Sequence, residues 1–143
     1  MIDLKKQIIV VVGGNGLLGG EFVKSISTHN GICLNADITN EEKDNKYKVD
    51  ITSEKSVEKL IKNIHNKYGK IDAVINSAYP RNKNYGKSFF EIKYSDFCEN
   101  LNLHLGVVLI INEITIHVSI INPDFYIHCN TFKYAVCLCT GLL

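Results

Sequence analysis

A chain of 143 residues supports one domain around one core. With 45% apolar and 22% charged residues it reads as globular, and a net charge of +1 excludes a general attraction to nucleic acid or membrane surfaces. Five scattered cysteines argue against a disulfide framework, and no Arg/Lys-flanked apolar leader opens the chain, so the expected setting is a reducing cytoplasm.

Elements follow in chain order. "QIIVVV" (7–12) is a short run rich in β-branched residues that ends at glycine, as suits a strand buried on both faces. Five of the ten glycines then fall between Gly13 and Gly20. Leu18, Phe22 and Ile26 recur every four residues as a helical stripe, which Asn30-Gly31 stops. "GICLNAD" (31–37) and "NKYKVDI" (45–51) read as the second and third strands. The next segment puts Val57, Leu60, Ile61, Ile64 and Tyr68 on one helical face, with Ser53 as the expected N-terminal cap and Gly69 as the stop. "KIDAVINSA" (70–78) is a fourth strand and "YPRNKNYGKS" (79–88) a loop. "YSDFCENLNLHL" (94–105) returns to a helical pattern through Phe97, Leu101 and Leu105. This alternation predicts an α/β fold with a parallel sheet and flanking helices.

At 106 the composition breaks. Every charged residue except Glu113, Asp124 and Lys133 lies in 1–106. The expected organisation is a nucleotide-binding half-domain over 1–106 and an atypical apolar tail over 107–143. Asn112, Glu113 and His117 interrupt the tail's long apolar run, which argues against a membrane span. His128, Cys129, Cys137 and Cys139 match no common zinc spacing, so no metal site is expected.

The glycine cluster fits two spacings, Gly14-x-Gly16-x-x-Gly19 and Gly13-x-x-Gly16-x-x-Gly19. Between a buried strand and a helix, either makes a tight turn. It lets backbone N–H groups and the positive end of the helix dipole approach a diphosphate. Asp37 lies 18 residues beyond Gly19, near the offset at which a carboxylate holds the adenosine ribose. A carboxylate there would repel a 2′-phosphate, so NAD is expected over NADP.

Four features in order, "GGNGLLG" (13–19), "AD" (36–37), "VDIT" (49–52) and "INSA" (75–78), resemble the short-chain dehydrogenase/reductase family. The resemblance implies a Rossmann-type, doubly wound domain. It implies cofactor-binding roles for Gly13, Asn15, Gly16, Leu17, Leu18 and Gly19, and favours the Gly13-x-x-Gly16-x-x-Gly19 reading. It further assigns Asp37 to the ribose, Asp50 and Ile51 to adenine, and Asn76 and Ala78 to the end of the fourth strand. Val12, Ser77 and Tyr79 depart from the family pattern. The stretch 76–106 is similar to the oxidoreductases of flagellin modification and surface-polysaccharide synthesis, which implies a sugar or sugar-nucleotide substrate in the intact relative. Homo-oligomers are an option there.

The family's chemistry uses Tyr-x-x-x-Lys with a Ser on the preceding strand. Only Tyr79–Lys83 has that spacing, in the wrong place and interrupted by Pro80, and it reads as coincidence. No residue receives a catalytic role. His104 falls where the family commonly has an active-site Asn. The resemblance ends near Gly106, so the fold is expected to be an incomplete, N-terminal half, truncated or frame-shifted beyond that point and marginally stable. Two alternatives stand beside the oxidoreductase reading: a non-catalytic nucleotide-binding or interaction module, and an inactive pseudogene product. An active enzyme with His104 as proton donor is a further one.

Overall fold

The computed structural model describes residues 3–107, 110, 126–131 and 134–135. The sheet contains β1 (Ile8–Val12), β2 (Ile32–Asp37), β3 (Lys46–Lys48), β4 (Ala73–Asn76), β5 (Tyr126–Thr131) and β6 (Tyr134–Ala135), in the order β3-β2-β1-β4-β5-β6. The first five strands are parallel, and β6 turns back antiparallel on β5. Among the described residues the α-helices are α1 (Leu17–Thr28), α2 (Glu54–Tyr68) and α3 (Tyr94–Leu101). Alternation of side chains along β1 explains its unbroken apolar run. Ile8, Val10 and Val12 join Val57, Leu60, Ile61 and Ile64 of α2, while Ile9 and Val11 join Ile26, Phe22 and Val23 of α1. Helices therefore cover both faces, and β1 lies at the centre.

Several expected boundaries shift. The third strand keeps only Lys46–Lys48, because Val49 and Ile51 leave the ladder to pack against α2. Ser53 begins α2, but its side chain makes no capping bond. Its carbonyl instead accepts the N–H groups of Ser56 and Val57. Gly69 ends α2 in the left-handed region at φ +75°, as its C-terminal place requires. In the α1 stripe Ile26 is buried, whereas Leu18 is half exposed, because the first turn of α1 rises past the end of β1.

The helical pattern of 94–105 also divides. α3 stops at Leu101, and Asn102–Gly106 form a wider π-helical turn. Its apolar stripe, Phe97, Leu101 and Leu105, remains substantially exposed.

β4 is not an edge. Ala73, Val74, Ile75 and Asn76 align with Tyr126, Ile127, His128 and Cys129 of β5. Backbone from the low-charge tail thus continues the parallel sheet, and among the described residues the outer strands are β3 and β6. His128 and Cys129 fall in β5, whereas Cys137 and Cys139 lie outside the described residues.

Candidate dinucleotide cleft

In an open parallel sheet a ligand crevice forms beyond the carboxyl ends of the strands, where the connections diverge to opposite faces. Here that point lies between β1 and β4. β1 runs into Gly13, β2 into Asp37 and β4 into Ser77-Ala78. These ends border a cavity of about 450 Å³ whose lining includes Gly13, Gly16, Asp37, Asp50, Ile51 and Ala78, together with Arg81 and Leu103. A second cavity of about 470 Å³ adjoins it and is lined by Leu17, Leu18 and Tyr85. Gly16, Ser77, Ala78, Tyr79 and Arg81 line both.

The glycines do different work. Gly13 has φ +76°, and a Cβ there would stand 2.7 Å from the Ala78 nitrogen. A Cβ on Gly14 would overlap the Asn35 amide, and one on Gly19 would overlap the Gly13 carbonyl oxygen. These three are small because the protein packs against them. Gly16, the residue that begins α1, has φ −74° and ψ 171°, which any residue adopts. A methyl there would meet the Gly13 oxygen at 3.2 Å and nothing else within 4 Å. The protein's own packing therefore gives little reason for glycine at 16, and the open side of that residue is the cleft.

Beneath the turn, asparagine amides hold it in place. The Asn15 N–H donates to Asp37 Oδ2 at 3.1 Å, and Asn15 Nδ2 donates to Thr39 Oγ1 and Asn40 Oδ1. Asn35 Nδ2 donates to Asn15 Oδ1, and buried Asn40 donates to the Asn35 and Tyr47 carbonyls. Asp37 Oδ1 also accepts from the backbone N–H and the hydroxyl of Thr39. A carboxylate offers about four acceptor positions. Three are used internally, which leaves one on Oδ2.

Of the expected site residues, Gly13, Gly16, Asp37, Asp50, Ile51 and Ala78 line the first cavity, and Leu17 and Leu18 the second. Asn15, Gly19 and Asn76 support the cleft rather than line it. Asn76 is 1% exposed, and its Oδ1 accepts the Ala78 N–H at 3.1 Å. Asp50 Oδ1 accepts the N–H and hydroxyl of Thr52, which fixes the turn after β3.

Sequence reasoning missed the role of 79–87. This segment has loop composition but is tied to α3. Asn82 Nδ2 donates to the Asp96 carbonyl and to Glu99, and Asn82 Oδ1 accepts from Asn100. Asn84 Nδ2 donates to Asp96 Oδ1 at 2.7 Å. That bond and the one from the Lys93 N–H hold the Asp96 carboxyl below its usual range. The repeated Asn in "RNKN" was the available signal.

His104 does not stand free as a proton donor. Its Nε2 is 2.9 Å from the Pro80 carbonyl oxygen, which fixes Nε2 as the donor, and its ring stacks on Tyr79 at 4.0 Å. Tyr79 and Lys83 share no helix. The hydrogen bond to Tyr85, together with partial burial, raises the Tyr79 phenol above its ordinary pKa, opposite to what a proton-transfer tyrosine needs at neutral pH.

Residues 30–115 match the protein family described as Enoyl-(Acyl carrier protein) reductase, a short-chain dehydrogenase/reductase grouping. The chain belongs to the short-chain dehydrogenase/reductase family. The match runs past Gly106, so the family likeness extends slightly further than the sequence motifs suggested. Post-translational flagellin modification protein A of Campylobacter coli is 36% identical over 125 residues, covering 77% of this chain and 49% of that protein. The fold is that of solved short-chain dehydrogenases. Ligand-free aldohexose dehydrogenase of Thermoplasma acidophilum matches with TM-score 0.74 at 20% identity, over 88% of this chain and 49% of that one. The NAD+-bound short-chain dehydrogenase of Leptospira borgpetersenii matches with TM-score 0.74 at 18% identity, over 89% and 52%. The chain thus spans about half the length of the relatives it matches.

Proposed function

We propose that this chain is the NAD-binding half of a short-chain oxidoreductase. The observation that carries the reading is the placement of Asp37 and Gly16 on one cavity at the sheet's divergence point. The residues fit a dinucleotide. Gly16 leaves the start of α1 open to a phosphate, Asp37 keeps one acceptor position for a ribose hydroxyl, and Ile38 and Ile51 offer apolar walls to adenine. Bound nicotinamide would supply hydride chemistry; this chain's own residues would bind and orient it. We assign no residue to proton transfer. The likeness to a flagellin modification protein supports a sugar-type alcohol or ketone as the substrate of the full-length relative.

Titration of the protein with NAD+ and NADP+, followed by calorimetry, tests this. We expect saturable binding with NAD+ preferred and no turnover by this chain alone. Asp37→Ala should weaken NAD+ about tenfold, the effect of one charged hydrogen bond. Failure of the intact chain to bind NAD+, or an Asp37→Ala variant that binds like the parent, refutes the reading.

A further inference from the structure

We propose that Arg81 binds the diphosphate of the bound dinucleotide, as the cation that shares both cavities with Gly16 of the glycine turn. The inference rests on the reading that the cleft takes a dinucleotide. Among the described residues, only Gly16, Ser77, Ala78, Tyr79 and Arg81 line both cavities. A molecule with adenosine beside Asp37 and Asp50 and its second nucleotide beside Leu17 and Leu18 passes the shared boundary, to which Gly16 and Arg81 both belong. What joins the two nucleosides is the diphosphate, so its charge falls at that junction.

Arg81 is prepared for an anion. Its guanidinium lies over the ring faces of Tyr79, at 5.3 Å, and Tyr85, at 5.0 Å. Among the described residues it forms no ion pair. Contact with ring faces orients the planar fork without using its N–H groups, which stay available for bidentate bonds to phosphate oxygens. The backbone beneath is held as well. Pro80 is bound by His104, and Asn82 by Asn100 and the Asp96 carbonyl. Arg81 is exposed, and its two ring contacts over a bonded backbone restrict the side chain before a ligand arrives, which lowers the ordering cost of binding.

The test compares adenosine, ADP-ribose, NAD+ and NADP+ binding by the parent, Arg81→Gln and Arg81→Lys. We expect Arg81→Gln to weaken ADP-ribose and NAD+ by about 10- to 100-fold and to leave adenosine within about twofold, with an unchanged urea midpoint. Arg81→Lys should recover only part of the loss, because an ammonium lacks the fork. Equal losses for adenosine and ADP-ribose would overturn the proposal, since the loop would then act on adenine or on folding. A loss confined to NADP+ would overturn it in favour of a 2′-phosphate contact. Unchanged NAD+ affinity would leave Arg81 an ordinary surface cation. A parent protein that binds adenosine and NAD+ equally well keeps the cleft but overturns the diphosphate clamp; one that binds none of the four overturns both.

Discussion

Gly13→Ala and Gly16→Ala are the same chemical change three residues apart, and they should fail differently. At Gly13 the backbone is left-handed, which costs a residue with a Cβ about 1–2 kcal/mol. The added methyl would also stand 2.7 Å from the Ala78 nitrogen and 2.8 Å from its Cα, backbone atoms that cannot move aside cheaply. Overpacking of that kind adds about 1–3 kcal/mol. The expected destabilisation is therefore about 2–5 kcal/mol, a large part of a domain's net stability. At Gly16 the backbone is extended and the one close contact is the Gly13 oxygen at 3.2 Å. Alanine there costs folding about 0–1 kcal/mol, the range of weak N-terminal caps, but with the dinucleotide placed as proposed its methyl would intrude on the diphosphate. NAD+ affinity should fall by about tenfold or more. Urea unfolding followed by circular dichroism reads the first effect, and calorimetric titration the second. If Gly16→Ala destabilises as much as Gly13→Ala, the glycine is structural. If Gly16→Ala binds NAD+ like the parent, no ligand approaches there. Either result refutes the reasoning.

Two further predictions concern the frame that carries the cleft. Asp72 Oδ2 accepts the buried Ile8 N–H at 2.6 Å and is bridged by Lys70 at 2.8 Å. Asp72→Ala strands that N–H at the start of the central strand and should cost about 1–3 kcal/mol; a urea midpoint equal to the parent's would show that water replaces the carboxylate. Burial pushes the Cys33 thiol up to about 11. The unfolded thiol ionises near 9.0 while the native one stays protonated, so this group's contribution is flat below that pH and stability falls as pH rises from there toward about 11. Native Cys33 should resist an exposed-thiol reagent at pH 8 and react once urea unfolds the chain, as peptide mapping would report; rapid labelling of the native protein contradicts its placement against α1.

Local pattern alone determined much of this protein. The β-branched run at 8–12, the four-residue apolar spacing of 57–64 and the glycine stop at 69 are short-range signals, and the strands and helices they specify lie close to where expected. The glycine cluster and the acid at its expected offset likewise include Gly13, Gly16 and Asp37, which line one cavity. Tertiary structure decided what sequence distance conceals. Asn15 and Asn76 have polar side chains at motif positions, and only packing shows that the first ties the turn to Thr39, Asn40 and Asn35 while the second holds the Ala78 N–H. Leu18 carries a core-like spacing, yet the end of the sheet leaves it beside the cleft. Arg81 belongs to a segment with loop composition, and three-dimensional contacts with α3 turn that segment into a fixed wall. The tail shows the limit from the other side. β5 pairs in parallel with β4 across a separation of more than fifty residues, and a parallel ladder joins segments too distant in sequence for local periodicity to reveal the register.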